Sequence, residues 1–283
     1  MKKKNRRIVV LGSGSFIAKS LINLLKLKNL KYLPIDRKIA DFEKKNSVKK
    51  LGKIIKKKDI VIFIAAIAPV KNLDMLNKNL QICSNIIQVL KLKVPEHLIY
   101  VSSDAVYSDS KVKINEKSLT VPDSLHGFMH LIREKMLNQI ECSKTYIRPT
   151  LVYGESDPHD GYGPNKFVRL AQKNLNINIF GNGEEKRDHI HVNNVAEILY
   201  YSIIKKYNGI INAVSGKVIS FKQISKEIAN TYPEVKVIKK KRLGPMPHNG
   251  YRAFNNTLIK KKFKKIKIVS LLDWIKLKKN YNV

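Results

Sequence analysis

The chain carries only two cysteines, Cys83 and Cys142, in 283 residues. Two thiols in separate apolar stretches make no disulfide framework, so a stapled extracellular scaffold is excluded and free thiols are expected. Acidic side chains are scarce as well: 22 Asp and Glu stand against 55 Lys and Arg, a formal charge of +33. Lysine supplies nearly all of the excess and is spread over almost every segment, densest at 239–242 and 260–267, without arginine clusters interleaved with aromatics. That pattern argues against specific nucleic-acid binding and leaves a general attraction for polyanions and for phosphate-rich substrates. No apolar run nears the about 20 residues of a membrane span, and the basic opening leads into a strand and a glycine turn, so neither a span nor a signal peptide is expected. A cytoplasmic location follows as an expectation.

What is present begins with Arg7 to Lys19, RIVVLGSGSFIAK. A β-branched run breaks at Gly12, and an apolar periodic segment with Phe16, Ile17, Leu21 and Leu25 follows, which predicts strand, glycine turn and helix. Gly12 and Gly14 let the backbone pass close to a pyrophosphate, and the helix start at Ser15, Phe16 and Ile17 supplies free N–H groups and a positive dipole end. Such a loop needs a carboxylate about 20 residues on, at the end of the next strand, to hold the adenosine ribose. Asp36 is placed for that role and favours NAD over NADP, while Arg37 beside it is placed to stack on adenine or to soften that preference.

Further along, the spacing predicts a surface helix within 41–57, a buried strand over 59–66 ending in Ala65 and Ala66, a helix over 73–92 carrying Asn79, and a strand over 97–102. The two alanines leave room for a cofactor at the strand end. Strands alternating with helices predict a doubly wound parallel sheet of the Rossmann kind, with ligands at the carboxyl ends of its strands. With 43% hydrophobic residues the chain can bury one large domain and a smaller C-terminal α/β lobe for substrate. The expected division is 1–150 with about 189–215 for the dinucleotide, and 151–188 with 216–283 for the substrate.

The order GSGSFIA, Asp36, DIVIFIAA, VSSDAVY, RPTLVYG, GYGPNKF and FGNGEEKRDHIHVNNVA resembles the extended short-chain dehydrogenase/reductase family. More narrowly, it is similar to the NAD-dependent epimerase/dehydratases that act on nucleotide sugars. The family's turn reads Gly-x-x-Gly-x-x-Gly; this chain keeps Gly12 but has Ser15 and Ala18 at the other two places. By the resemblance, Ser103 hydrogen-bonds the oxygen on the reacting sugar carbon, and Asp104 stands where dehydratase members carry a general acid. A turn or capping role is the alternative for Asp104.

Relatives carry Tyr-x-x-x-Lys on the following helix, where this chain reads SLHGFMHLIREKML. His126 replaces the tyrosine and His130 the lysine, one helical turn apart on one face. Three readings are open. His126 acts as the acid/base, its imidazole titrating near ~6.5, with His130 orienting it or reaching the ribose. Alternatively the site is degenerate, and the chain binds NAD or a nucleotide sugar as a sensor or scaffold. A metal on the pair is the third, but no third ligand is evident, so no metal is expected.

On the substrate side, Asn165 and Lys166 at a helix start suit a diphosphate or a sugar hydroxyl, and the resemblance assigns Arg187 to the nucleotide diphosphate, for which a planar guanidinium fork is suited. Arg252 is the candidate for a second substrate-phosphate arginine. Leu151 stands where many epimerases and dehydratases have a substrate asparagine, which leaves epimerisation, dehydration and reduction all open. The resemblance implies an oxidoreductase or isomerase using NAD (or NADP), a homodimer, and a role in surface polysaccharide synthesis.

Overall fold

The computed structural model describes residues 6–159 and 161–278. By packing, the chain divides into two units: 1–108, 116–149 and 195–213 form the first, and 109–115, 150–194 and 214–283 the second.

In the first unit the chain runs β1 (Ile8–Leu11), α1 (Phe16–Leu27), β2 (Tyr32–Ile35), α2 (Asn46–Ile54), β3 (Ile60–Phe63), α3 (Leu73–Leu92) and β4 (His97–Val101). A 3-10 turn at Asp104–Val106 leads on to α4 (Leu125–Leu137) and β5 (Ser143–Pro149). The strands pair in parallel in the order β2-β1-β3-β4-β5, and β9 (Gly209–Ala213) closes the far edge. Every residue of β1, β3 and β4 is buried, as a parallel strand with helices on both faces requires. Polar side chains open the helices: Ser15 accepts from the Ala18 N–H, Asn72 from Met75 and Ser124 from Gly127. At the amino end of the sheet Arg7 grips Asp59 through two bonds of 3.0 and 2.6 Å, joining β1 to β3.

The order in which successive strands are added reverses at β1, which has β2 on one side and β3 on the other. This is the switch point at which open α/β sheets take ligands.

The second unit holds β6 (Leu151–Tyr153), α5 (Pro164–Gln172), β7 (Ile177–Phe180), β8 (Lys186–His191) and the start of α6 (Val192–Lys205). It continues with β10 (Val218–Ser220), α7 (Phe221–Thr231), β11 (Val237–Lys240), β12 (Tyr251–Arg252), α8 (Thr257–Lys262) and α9 (Leu271–Leu277). β8 is the centre, flanked by β10 and β12 and paired also with β6, while β7 and β11 form a separate parallel pair. Tyr153, Phe167, Phe221 and Trp274 anchor its apolar core. Residues 109–115 join this unit because Ile114 donates to the Ala253 carbonyl and accepts from the Asn255 N–H. That pairing spans more than a hundred residues of sequence, and no local pattern announces it.

Candidate active site

In the first unit the carboxyl ends of four neighbouring strands bring together Asp36, Gly12, Ala65 and Ser103, in that order across β2, β1, β3 and β4. Three inter-strand steps of about 4.8 Å separate the outer two, roughly 14 Å, the reach of an extended dinucleotide. The glycines divide the labour differently from the sequence expectation. Gly12 has φ +92°, and a Cβ there would meet the Ala65 nitrogen at 2.6 Å, so its bareness serves the approach of two backbones. Gly14 is exposed, with nothing within 4 Å of where a Cβ would sit, and is the open position above the helix start.

The Ser15 oxygen accepts from the Ala18 N–H at 3.4 Å, which leaves its O–H to donate outward. The amides of Phe16 and Ile17 precede the first intrahelical bond. Asp36 accepts from the Ile39 N–H at 3.0 Å, which fixes its carboxylate at the strand end. Arg37 is paired with Asp41 and Glu43 at the surface rather than held over an adenine position. Asn79 also departs from its expected role as a cofactor contact. It is fully buried, and its amide bonds the Ile67 N–H, the Ile67 carbonyl and the Met75 carbonyl. It holds the loop after Ala65 and Ala66 in place. The open glycine, the helix amides and the fixed carboxylate fit a dinucleotide.

Ser103 caps the 3-10 turn by accepting from the Ala105 N–H at 3.1 Å, and its hydroxyl proton remains available. Asp104 lies within that turn, 9% exposed. Gly127 sets the position of α4 against it: a Cβ there would stand 2.1 Å from the Ala105 carbonyl oxygen. The residue before that glycine is His126, which is thereby carried up to the Ser103–Ala105 turn.

His126 is partly exposed, and its Nδ1 receives the Val70 N–H at 3.5 Å. A ring accepting at Nδ1 carries its proton on Nε2, the form that donates. His130 packs edge-on beneath it, ring centroids 4.7 Å apart. The structure thus brings the pair together but turns the second ring inward: His130 is 4% exposed and its Nδ1 lies 2.8 Å from the Tyr100 hydroxyl. Burial first, then the neighbouring His126 and Arg133, hold His130 well below the usual histidine range, so it stays neutral. It packs against His126 and carries no positive charge.

Arg133, which the sequence reading passed over, stands one turn further on the same face. It is fully buried, lies 4.4 Å over the Phe63 ring and donates to the Ala65 carbonyl at 3.0 Å, with no carboxylate paired to it among the described residues. The fit of α4 on the sheet is fixed by Glu134, which accepts from Ser102 on the β4 side at 2.6 Å and holds Arg148 of β5 through bonds of 2.9 and 2.6 Å.

In the second unit Arg187 donates to Glu185 at 3.1 Å, and Arg242 approaches the other oxygen of the same carboxylate at 3.4 Å. The Nε of each arginine is buried without a partner. Two guanidiniums sharing one carboxylate leave one net positive charge and unspent donors, a fit for an anion. Arg242 was hidden in the run KKKR, where only its guanidinium sets it apart from the lysines. Arg252, the expected second phosphate ligand, is instead 1% exposed and committed to Asp109 at 3.0 Å. Asn165 is likewise spent on structure, accepting from the Gly154 N–H at 3.0 Å and donating to Asp157 at 2.6 Å. Lys166 is half-buried at the start of α5.

Residues 8–213 match the model of the NAD dependent epimerase/dehydratase family. A Bacillus subtilis (strain 168) protein described as an uncharacterized UDP-glucose epimerase, YtcB, is 24% identical over 202 residues, a stretch that covers 67% of this chain and 62% of the relative. The structure of a Thermus thermophilus UDP-glucose 4-epimerase in complex with NAD superposes with a TM-score of 0.82 at 19% identity, over 97% of this chain and 98% of that one. A GDP-L-fucose synthetase from Naegleria fowleri bound to NADP gives 0.79 at 16% identity, over 99% and 93%. The strand order, the dinucleotide-fitting strand ends and the match over most of the chain place it in the NAD dependent epimerase/dehydratase family.

Proposed function

We propose that the protein is an NAD-dependent oxidoreductase acting on a nucleotide-linked sugar, with proton transfer by His126. The observation that carries this is the close seating of α4 through Gly127, the residue after His126, on the 3-10 turn that Ser103 caps. When bound, NAD takes up and returns a hydride. Asp36 favours NAD over NADP, because its carboxylate repels the additional phosphate. Ser103 donates to the oxygen of the reacting carbon. His126 gives a proton to that oxygen as the carbonyl is reduced and recovers it in the reverse sense. Arg187 and Arg242 hold the diphosphate, and Lys166 adds charge at the α5 start. Epimerisation, dehydration and reduction all use this step, and supply of surface polysaccharide by a cytoplasmic homodimer extends the reading.

A second reading has one observation in its favour. The neutral, inward His130 leaves the family's lysine unreplaced, which suits a protein that binds NAD or a nucleotide sugar without turning it over. Incubation with NAD and a panel of UDP-, GDP-, dTDP- and CDP-sugars, read by product mass, separates the two. A changed sugar supports the enzyme; binding by calorimetry with every sugar recovered intact supports the sensor.

A further inference from the structure

Beneath His126 the protons of Tyr100 and His130 can be placed by counting donors and acceptors. α4 crosses the strand ends with Gly127 against the Ala105 carbonyl and Arg133 donating to the Ala65 carbonyl at 3.0 Å, so His130, between the two, is carried to the ends of β3 and β4. Tyr100, in β4, is fully buried, and its hydroxyl makes one hydrogen bond among the described residues, 2.8 Å to His130 Nδ1. Burial holds the phenol well above its usual range, so it keeps its proton, and a buried O–H left without an acceptor is costly. Arg133, 5.5 Å from the Tyr100 ring centre, has donors only and cannot take that proton. The bond therefore runs from the Tyr100 O–H to His130 Nδ1.

A neutral imidazole that accepts at Nδ1 carries its own proton on Nε2. His130 is consequently a donor at Nε2, and the phenol makes it one. No hydrogen bond reaches this Nε2 among the described residues, and unlike the Nε2 atoms of His189 and His191 it is not sealed from solvent. With the adenosine ribose at Asp36 beyond β2, a dinucleotide laid across β1 and β3 brings its other ribose to the ends of β3 and β4. A neutral N–H suits an uncharged hydroxyl oxygen there, whereas a phosphate calls for a cation.

From this count we infer that Tyr100 is a positioning residue, which fixes His130 as an Nε2–H donor to a hydroxyl oxygen of the second ribose of a bound dinucleotide. The inference rests on the dinucleotide reading of the strand ends, and it holds whether or not a sugar is turned over. Tyr100 touches no ligand itself; it acts through the imidazole.

The test is calorimetric titration of the full chain with NAD, with ADP-ribose, which keeps the second ribose without the nicotinamide, and with ADP, which lacks both. Tyr100→Phe removes one buried oxygen and keeps the ring. It should weaken NAD and ADP-ribose about three- to ten-fold, the worth of one neutral hydrogen bond, and leave ADP within about two-fold. Because the phenol acts through the imidazole, Tyr100→Phe added to His130→Phe should change NAD affinity no further. In protein labelled with nitrogen-15 at histidine, the two-bond proton–nitrogen pattern of His130, assigned by its loss in His130→Phe, should be that of an Nε2–H ring. Tyr100→Phe should lose that single form. A proton on Nδ1 in the unaltered chain, equal weakening of ADP and NAD, unchanged NAD affinity in Tyr100→Phe, or additive losses in the double variant overturns the inference. Failure of the unaltered chain to bind any of the three ligands overturns the dinucleotide reading and the inference with it, a result distinct from binding that the Tyr100 variant leaves unaltered.

Discussion

At the scale of single residues, the reading turns on which polar atoms are spent and which are left over. Asn79, Asn165 and Arg252 have the types expected of ligands, yet each is engaged by protein neighbours, the two asparagines by nearby loops and Arg252 by the distant Asp109. Arg187 and Arg242 keep unpaired donors while sharing Glu185. Replacement of either by Leu should raise KM for the nucleotide sugar about ten- to a hundred-fold with a smaller change in kcat, since a charged hydrogen bond is lost in ground and transition states alike. His126→Phe should lower kcat by about 10²–10⁴ while NAD affinity, measured by calorimetry, stays within a few-fold. Sequence pattern made His126 legible through the glycine that follows it. Arg242 was illegible, because composition cannot tell a guanidinium with an unspent Nε from a solvated lysine beside it.

The relevant element is α4. Its amphipathic pattern and Ser124 cap were readable along the chain, but its depth is set by contacts that only the fold makes. Gly127→Ala would drive a methyl into the Ala105 carbonyl and lever α4 off the 3-10 turn. We expect a loss of about 1–3 kcal/mol in urea denaturation and loss of turnover with the fold retained, because the clash displaces the helix turn that carries His126. Glu134→Ala would strand Arg148 as a buried unpaired charge, and should cost about 3–5 kcal/mol by the same measurement. His130 belongs here too: its place on the helix was plain, but its direction is decided by Tyr100, thirty residues earlier on β4.

Across the whole molecule, acid should be more damaging than this basic composition alone suggests. His97, lowered to about 4 by burial and bonded to Ser143 and Thr145, His130 and His189 are buried neutral in the folded chain. Their folded values lie below the unfolded one, so the unfolded chain binds more protons as pH falls through about 6.5, and stability falls with it. Each contributes a slope of up to about 1.4 kcal/mol per pH unit. The urea midpoint should therefore drop steadily between pH 6.5 and 4.5, and His97→Gln should flatten part of that decline. The charge of +33 gives the opposite control: added salt should raise the midpoint at pH 7 by screening self-repulsion, and should slow association with nucleotide sugars.

The amino-acid order by itself determined the doubly wound sheet and the glycine turn with its distant carboxylate. These are local or evenly spaced signals, and a chain's periodicity records them directly. Tertiary structure alone decided that the His130 imidazole turns inward to a phenol, that residues 109–115 join the second unit, and which arginines keep free donors. Such facts depend on the desolvation and hydrogen bonding of groups brought together from separate segments of the sequence, and no one stretch of the chain holds them.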